Sequence, residues 1–335
     1  MKTSRRNPIA QFFSDNREAP ILAVLLVVAL VFTVANPRFA SVENIQDMLR
    51  YASVLIIAAV GQSMVIITRN IDLSTGSIVG VSAYLSAVFV QTQSGLGVWL
   101  SLLVGMGIGL ALGAVNAALV VLGGVPSIIA TLGTLFAFRG IAAVIGGGDK
   151  EIPAAKLPQE FIDIASGRVL GIPSPMVIAL VTVIIAVTAL RKTRTGRELY
   201  AVGSNPEAAK RAGLRPKRLV AGVLCVSGAL AGLVGCLWVS DYATVNAATA
   251  SGFELAVISA VVVGGVSVFG GSGSVVGAAI GAVLMVVIQY GLIIMKVPVY
   301  WLQAAYGLLI LVSVVSDTIV ARRVSTANLL KRAAA

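Results

Sequence analysis

Apolar residues occur in long stretches along this chain, separated by short polar or glycine-rich breaks. Each stretch is close to the length of about 20 residues that lets an α-helix cross the hydrocarbon core of a bilayer. The pattern predicts an all-α polytopic membrane protein with about ten transmembrane helices. The predicted spans cover residues 20–36, 50–68, 73–91, 97–122, 126–146, 173–190, 219–240, 253–270, 275–295 and 298–318.

Basic residues indicate which polar segments share one side of the membrane. Seventeen of the 25 Lys and Arg residues lie before Pro20, within residues 191–218, or from Arg322 onward. Six predicted spans separate the first region from the second, and four separate the second from the third, so all three fall on one side. The positive-inside bias makes that side the cytoplasm. The predicted parts are a cytoplasmic amino-terminal segment at 1–19, a transmembrane domain at 20–318 that contains a cytoplasmic segment at 191–218 and an outer loop at 147–172, and a cytoplasmic tail at 319–335.

The composition agrees with this interpretation and excludes a water-soluble domain. The chain has 58% hydrophobic and 12% charged residues, a mean hydropathy of +0.96, and no histidine. Such values lie well outside the usual range of soluble proteins. The net charge of +11 could suggest nucleic acid, but the positive residues cluster in three regions and not on a separate globular domain. We therefore predict membrane lipid, and no nucleic acid, as a partner.

Glycines recur every four residues in three of the predicted spans, which leaves a helix face without side chains. Small residues let backbones approach closely in lipid, where the hydrophobic effect does not hold helices together. We predict close helix packing within one bundle, with a dimerisation face as the alternative. The glycines that recur in this way are Gly105, Gly109, Gly113, Gly228, Gly232, Gly277 and Gly281, and we predict the same close packing for Gly264 and Gly265.

A polar segment at residues 68–77 separates two apolar spans that nearly touch. Asp72 is the only acidic residue between Asp47 and Asp149. One interpretation is a broken helix whose polar atoms line a path for a hydroxylated solute. The sequence supports equally the alternative that Asp72 or Ser74 caps the next helix while Arg69 anchors at the membrane interface. The candidate path residues are Asn70, Asp72, Ser74 and Ser77.

A short, self-contained helix is predicted inside the basic segment. Asn205 suits the cap and Pro206 the first helical position. Glu207 at the start, basic residues in the last turn and Gly213 after it complete the pattern. Two turns of helix have little stability alone, so the helix should dock on its own membrane domain or on a soluble partner. Its residues are Asn205, Pro206, Glu207, Ala208, Ala209, Lys210, Arg211, Ala212 and Gly213.

Residue patterns that carry catalysis are missing from the sequence. There is no histidine, no cysteine pair with metal-ligand spacing, and no phosphate-binding loop of the G-x-x-x-x-G-K-[ST] type. We therefore predict no catalytic residue, metal or cofactor in this chain, and any ATP that drives it must bind to another chain. Arg139 and Glu254 lie in or beside predicted spans, so each needs a partner or must reach the membrane surface.

Four sequence blocks, taken in order together with ten spans, resemble the membrane permeases of ABC importers for ribose and related sugars. The blocks are Asn70-Ile71-Asp72-Leu73-Ser74 with Gly76-Ser77, Thr131-Leu132-Gly133-Thr134 with Arg139-Gly140, Gly203 with residues 205–209 and Gly213, and Gly264-Gly265-Val266-Ser267 with Gly270-Gly271-Ser272-Gly273-Ser274. Within that family, the chain is most similar to permeases of autoinducer-2 importers at residues 16–18, 68–72 and 298–301.

The resemblance implies a permease bundle like that of type II ABC importers, in the bacterial inner membrane. Two permease subunits, as a homodimer or heterodimer, would form the pore, with ATPase subunits that bind ATP and Mg on the cytoplasmic side. A periplasmic solute-binding protein would deliver the solute on the side of the periplasmic loop 147–172. The segment from Asn205 to Gly213 would be the coupling helix that fits a groove of the ATPase.

The resemblance also narrows the solute. It implies a small polyhydroxylated molecule, either autoinducer-2 or a monosaccharide. A rhamnose- or ribose-type sugar permease is the alternative within the family. An ion-coupled secondary transporter is the alternative from another class, and the scarcity of ionisable residues within the spans counts against it.

Overall fold

A computed structural model describes residues 18–92, 98–146, 151–298 and 300–333. Within these ranges the chain forms thirteen α-helices and one two-stranded antiparallel hairpin, which confirms the predicted all-α class. Five predicted features fall at least partly outside the described residues. They are the amino-terminal segment at 1–17, the first residue of the span at 97–122, the start of the outer loop at 147–150, Val299 in the segment that resembles autoinducer-2 permeases, and the last two residues of the tail at 319–335.

All helices except α6, α8 and α9 are apolar and follow the order of the ten predicted spans. The hairpin joins β1 (Arg168–Val169) to β2 (Ile172–Pro173), between α6 and α7. In chain order the helices are α1 (Ala19–Ala35), α2 (Val42–Ile67), α3 (Thr75–Thr92), α4 (Val98–Ala117, continued by the π-helical turn Ala118–Leu122), α5 (Ser127–Ile145), α6 (Gln159–Ser166), α7 (Ser174–Lys192), α8 (Arg194–Ser204), α9 (Pro206–Arg211), α10 (Pro216–Tyr242), α11 (Phe253–Val263), α12 (Val275–Ile294) and α13 (Tyr300–Ala333).

Seven of the described helices are long and apolar enough to cross a membrane, by length and composition. They are α2, α3, α4 with its π-helical turn, α5, α7, α10 and α12. Three other helices are apolar but shorter, namely α1, α11 and the Tyr300–Val315 part of α13. Each predicted span therefore coincides with an apolar helix, although three of these helices are too short to meet that criterion.

The predicted span at 253–270 is wrong in its second half. Helix α11 ends after 11 residues, about 16 Å of helix, and residues 264–274 form a glycine-rich turn. Gly265, Gly270 and Gly271 have φ values of 81°, 77° and 72°, which residues with side chains rarely adopt. Gly265 therefore differs from the predicted packing role, because a Cβ there would meet no atom within 4 Å.

Helix α2 lies at the centre of the bundle. In the most apolar 18-residue stretch of α2, 89% of the residues are buried, compared with 28% in the corresponding stretches of α4, α5 and α7. Helix α2 packs against α7, α10, α11 and α12, and α10 packs in turn along α3 and α4. The peripheral helices leave large apolar side chains exposed, among them Leu103, Phe136 and Ile185. A surface of this kind suits contact with lipid or with another membrane-embedded chain.

The predicted outer loop contains a helix that its polar composition concealed. Helix α6 packs on α10 and buries Phe161, Ile164 and Ala165, which follow the i, i+3, i+4 spacing of an amphipathic helix. The Ser240 hydroxyl donates to the Phe161 carbonyl at 2.7 Å and accepts from the Ala165 N–H at 3.0 Å. These bonds tie α6 to the end of α10.

The glycine faces of α4 and α10 meet each other within this chain. Gly105, Gly109 and Gly113 lie against Gly228 and Gly232. A Cβ at Gly109 would lie 2.7 Å from the Gly232 Cα and would overlap the Gly228 carbonyl. The two backbones are therefore in direct contact, as intramolecular packing requires.

Helices α11 and α12 approach each other in the same way. A Cβ at Gly264 would lie 2.5 Å from the Gly277 carbonyl oxygen. A Cβ at Gly281 would lie 2.9 Å from the Gly264 nitrogen and would overlap the Ala260 carbonyl. These glycines thus lie in helix contacts inside one chain and not on a free surface.

We expect Gly109→Leu to destabilise the protein strongly, because its side chain would force α4 away from α10. Overpacking typically costs about 1–3 kcal/mol, and backbone atoms on the facing helix leave little room for adjustment. Gly107→Leu in the same helix is the matched control, because a Cβ at Gly107 would meet no atom within 4 Å. Thermal unfolding in detergent measures the difference, and equal midpoints for the two variants would contradict this account of the packing.

Candidate functional site

The link between α2 and α3 is a break in the helical path. Arg69 has a φ of 64°, and the Asn70 N–H bonds back to the Val65 carbonyl at 3.2 Å, which ends α2. The Asn70 side chain donates to the Thr68 carbonyl at 2.9 Å. Helix α3 begins only at Thr75. Irregular backbone at membrane depth requires burial in protein or a polar cavity.

Asp72 orders the turn that leads into α3. Its Oδ1 accepts a hydrogen bond from the Ser74 N–H at 2.8 Å and another from the Ser74 hydroxyl at 2.6 Å. Asp72, Ser74 and Ser77 are each at most 1% exposed, and the Ser77 hydroxyl donates to the Ser74 carbonyl at 2.8 Å. These bonds order the turn immediately before α3, and both the capping role of Asp72 or Ser74 and solute contact at the candidate path residues stay predictions.

A buried chain of polar side chains extends from this turn into α4 and α5. The Asn116 amide donates to the Ser74 hydroxyl at 2.7 Å, and the Thr134 hydroxyl donates to the Asn116 carbonyl oxygen at 2.6 Å. Thr131 accepts from the Leu73 N–H at 3.0 Å. Asn116 was not predictable from the sequence, because a single amide in an apolar span carries no local pattern. Thr131 and Thr134 lie in one of the quoted sequence blocks.

Helix α9 has the local structure that its sequence predicts. The Asn205 side chain accepts a hydrogen bond from the Ala208 N–H at 3.0 Å, and Pro206 is the first helical residue. Gly213 follows with a φ of 82°. Ala209 is 5% exposed and packs inward. The outward positions are Glu207, Ala208 and Lys210.

Arg69 fastens the helix break to the end of α8. Its Nε donates to the Gly203 carbonyl at 2.5 Å and its Nη2 to the Ser204 carbonyl at 2.6 Å. Cationic groups at a helix C-terminus satisfy its free carbonyls. The predicted role of Arg69 as a membrane-interface anchor is therefore replaced by an intramolecular one. Because Ser204 is two residues before α9, Arg69 connects the break almost directly to that helix.

The glycine-rich turn after α11 completes this contact. The Gly271 N–H donates to the Ile67 carbonyl at 2.8 Å, and the Tyr200 hydroxyl donates to the Gly273 carbonyl at 3.1 Å. A Cβ at Gly203 would lie 2.6 Å from the Gly271 nitrogen and would overlap the Ile67 carbonyl. We call the contact among residues 67–70, 200–204 and 270–273 the α2–α8 junction.

Arg139 and Glu254 are partners across the bundle. The Arg139 guanidinium donates to the Thr249 carbonyl at 2.6 Å and the Ala250 carbonyl at 2.9 Å, and lies 3.9 Å from the Glu254 carboxylate. Both side chains are less than one-fifth exposed. Across the residues that the structure describes, no group of three or more His, Cys, Asp or Glu gathers as a metal site. The Arg139 guanidinium is thus the charge partner of Glu254, and its two hydrogen bonds hold the loop before α11.

We expect Arg139→Leu to destabilise the protein by about 3–5 kcal/mol, because it leaves the buried Glu254 carboxylate without its counter-charge and two loop carbonyls without a donor. The double variant Arg139→Leu/Glu254→Leu should recover part of the loss, because no unpaired charge remains. Thermal unfolding in detergent tests both. An unchanged midpoint for Arg139→Leu, judged against the exposed control Arg197→Leu, would show that the pair does not stabilise the fold.

The four sequence blocks converge around the break between α2 and α3. The first block contacts the second through the bonds from Leu73 to Thr131 and from Ser74 through Asn116 to Thr134. Next to the first block, Arg69 binds Gly203 of the third. The third block meets the fourth where Gly203 faces Gly271. Residues that are up to 200 positions apart thus form one connected region.

Comparison with known proteins assigns the chain to a family. The family described as branched-chain amino acid transport system/permease component matches residues 44–314. The autoinducer 2 import system permease protein LsrC of Yersinia enterocolitica is 33% identical over 92% of this chain and 84% of its own length. The ribose import permease protein RbsC of Haemophilus influenzae is 34% identical over 95% of this chain and 97% of its own.

A further relative is also an autoinducer 2 import system permease protein. The LsrC protein of Escherichia coli K12 is 33% identical over 92% of this chain and 88% of its own length. No solved structure matches the chain. The resemblance carried by the four sequence blocks is confirmed by these matches. The chain therefore belongs to the family of membrane permease components of ABC-type transport systems.

Proposed function

We propose that this chain is the transmembrane permease subunit of an ATP-driven importer for a small polyhydroxylated solute. The observation that carries the proposal is the α2–α8 junction, which joins an exposed, capped helix to a break inside the membrane domain. Helix α9 offers Glu207, Ala208 and Lys210 to a partner, and Arg69 links its base to the chain between α2 and α3. Such a connection suits a subunit that receives mechanical work from a partner and catalyses no reaction itself.

The proposed partners follow from this arrangement. An ATPase subunit, which supplies the ATP and Mg site, docks on α9 at the cytoplasmic face. A second permease subunit completes the pore, and a periplasmic solute-binding protein delivers the solute. The basic segment at 191–218 supports a cytoplasmic position for α9 and for both chain termini, in the bacterial inner membrane.

The proposed mechanism is a shift between two states of the bundle. Closure of the ATPases on nucleotide moves α9, and α8 moves with it. The junction then transmits the movement in two directions, through Arg69 to the α2–α3 break and through Gly271 to the turn between α11 and α12. Nucleotide binding thereby favours one conformation of the membrane domain over the other. Such coupling requires that the partner contacts the two conformations differently.

For the solute, we propose autoinducer-2 or a monosaccharide, on the basis of the relatives' names and the polar character of the break. Asn70 is half-buried, and Asp72, Ser74 and Ser77 are buried. We propose that this segment borders the solute path when the bundle changes state, with Asn116 and Thr134 fixing its shape. The rival ion-coupled carrier is not favoured, because the relatives are import permeases of the same family.

Energy dependence tests the proposal. Cells that express the complete importer are given labelled ribose or autoinducer-2, first with ATP depleted and the ion gradient kept, then with the gradient collapsed and ATP kept. We expect accumulation only in the second condition. Accumulation in the first condition would overturn the ATP-driven function.

A further inference from the structure

A long apolar groove crosses one flank of the bundle. Helices α7 and α10 both pack on α2, and between them lies a cavity of about 510 Å³. Val60 and Met64 of α2 form its floor, while Ile185 and Val226 stand on its two walls. Ile185 is 63% and Val226 44% exposed, so the groove opens on the outer surface of the bundle.

One end of the groove is basic. Thr193, Thr195 and Arg218 line that end, where α7 passes into α8 and α10 begins. A second cavity of about 370 Å³ adjoins it, shares Arg218 and Leu219 with the groove, and is also lined by Arg194, Glu198 and Arg215. The two cavities form one continuous depression that changes from apolar to cationic along its length.

Two of these cations lack an ion-pair partner in the described part of the chain. Arg194 pairs with Glu198 at 2.7 Å. Arg215 and Arg218, in contrast, are exposed and take part in none of the ion pairs among the residues that the structure describes. An arginine fork at the edge of a bilayer matches a phosphate group in both charge and geometry.

We propose that this depression binds an anionic phospholipid. One acyl chain lies in the groove on α2 between α7 and α10, and the phosphate sits between Arg215 and Arg218. Basic pockets between membrane helices on the cytoplasmic side suit such headgroups. A soluble partner could neutralise the arginines but would leave the apolar floor uncovered, whereas a phospholipid satisfies both halves at once. The bound lipid would bridge α7, α8 and α10 directly beside α9.

Two variants separate the halves of the proposed site. Gly222→Leu fills the groove, and its backbone has room for the change, because a Cβ at Gly222 would meet no atom within 4 Å. Arg218→Gln removes one phosphate ligand at an exposed position, so it does not endanger folding. The matched controls are Gly107→Leu, which lies on α4 outside the groove, and Lys217→Gln, which removes the neighbouring charge.

Native mass spectrometry of the full-length permease measures binding of phosphatidylglycerol, phosphatidylcholine and free glycerol phosphate. We expect phosphatidylglycerol to bind more tightly than the other two. Arg218→Gln should weaken its binding roughly tenfold, as loss of a charge-assisted hydrogen bond predicts, and Gly222→Leu should abolish it. Both controls should bind as the unchanged protein does.

Three results would overturn the proposal. Equal binding of the two phospholipids would remove the role of charge, and equal binding of glycerol phosphate would make this a simple anion site. Binding that survives Gly222→Leu would place the lipid elsewhere on the protein.

Discussion

Charge reversal by Glu207→Arg is expected to abolish solute uptake while the protein still folds and inserts. Glu207 lies exposed in the first turn of α9, where its carboxylate complements the positive end of the helix. In the proposed complex, this position meets the ATPase. A central interface position is typically worth about 2 kcal/mol or more, which corresponds to a roughly 30-fold loss of docking affinity. Initial uptake rates and co-purification of the ATPase measure the effect.

The matched control is Glu160→Arg, which reverses an exposed charge in α6, on the predicted outer side. It should leave both readouts unchanged. Ala209→Asp would be a less informative variant, because Ala209 is buried and an aspartate there would disturb the folding of α9 itself. Full uptake by a well-expressed Glu207→Arg protein would remove α9 from the coupling mechanism.

Gly203→Val is expected to stop uptake by a different route. A side chain at this position would overlap the Ile67 carbonyl, so the α2–α8 junction would have to open. The bond between the Gly271 N–H and Ile67 and the two bonds of Arg69 would be strained or lost. Overpacking against backbone costs about 1–3 kcal/mol or more. The outward face of α9 remains intact, so the ATPase should still co-purify.

Ala201→Val is the control for this variant, since Ala201 is exposed in the same helix, two residues earlier. Uptake by this control should be normal. Co-purification then distinguishes the two variants, because Glu207→Arg loses the ATPase and Gly203→Val retains it. Normal uptake by Gly203→Val would mean that the junction transmits nothing.

Features with a local cause were predictable from the sequence. Each apolar stretch became an apolar helix because its length and composition decide the matter without reference to distant residues. Helix α9 was predictable from Asn205, Pro206 and Gly213, because each of these residues acts on the helix terminus beside it.

Features that depend on distant contacts were not predictable in this way. Arg69 binds carbonyls 134 and 135 residues further along the chain, so its neighbours in sequence suggested only a membrane anchor. The early end of α11 was not predictable, because the residues after Val263 are small and apolar like those of a continuing helix. The positive φ of Gly265 prevents the helix from continuing. The sequence blocks marked the right residues, but only the fold shows that they meet.

Labelling of a single cysteine at Lys210 tests the central claim, that α9 faces the cytoplasm, most directly. Cys225 and Cys236 are first replaced by serine or alanine, and a thiol reagent that cannot cross membranes is applied to intact cells. If α9 faces the cytoplasm, Lys210→Cys reacts only after permeabilisation, while Glu160→Cys on the predicted outer side reacts at once. Reaction of Lys210→Cys in intact cells would contradict the account.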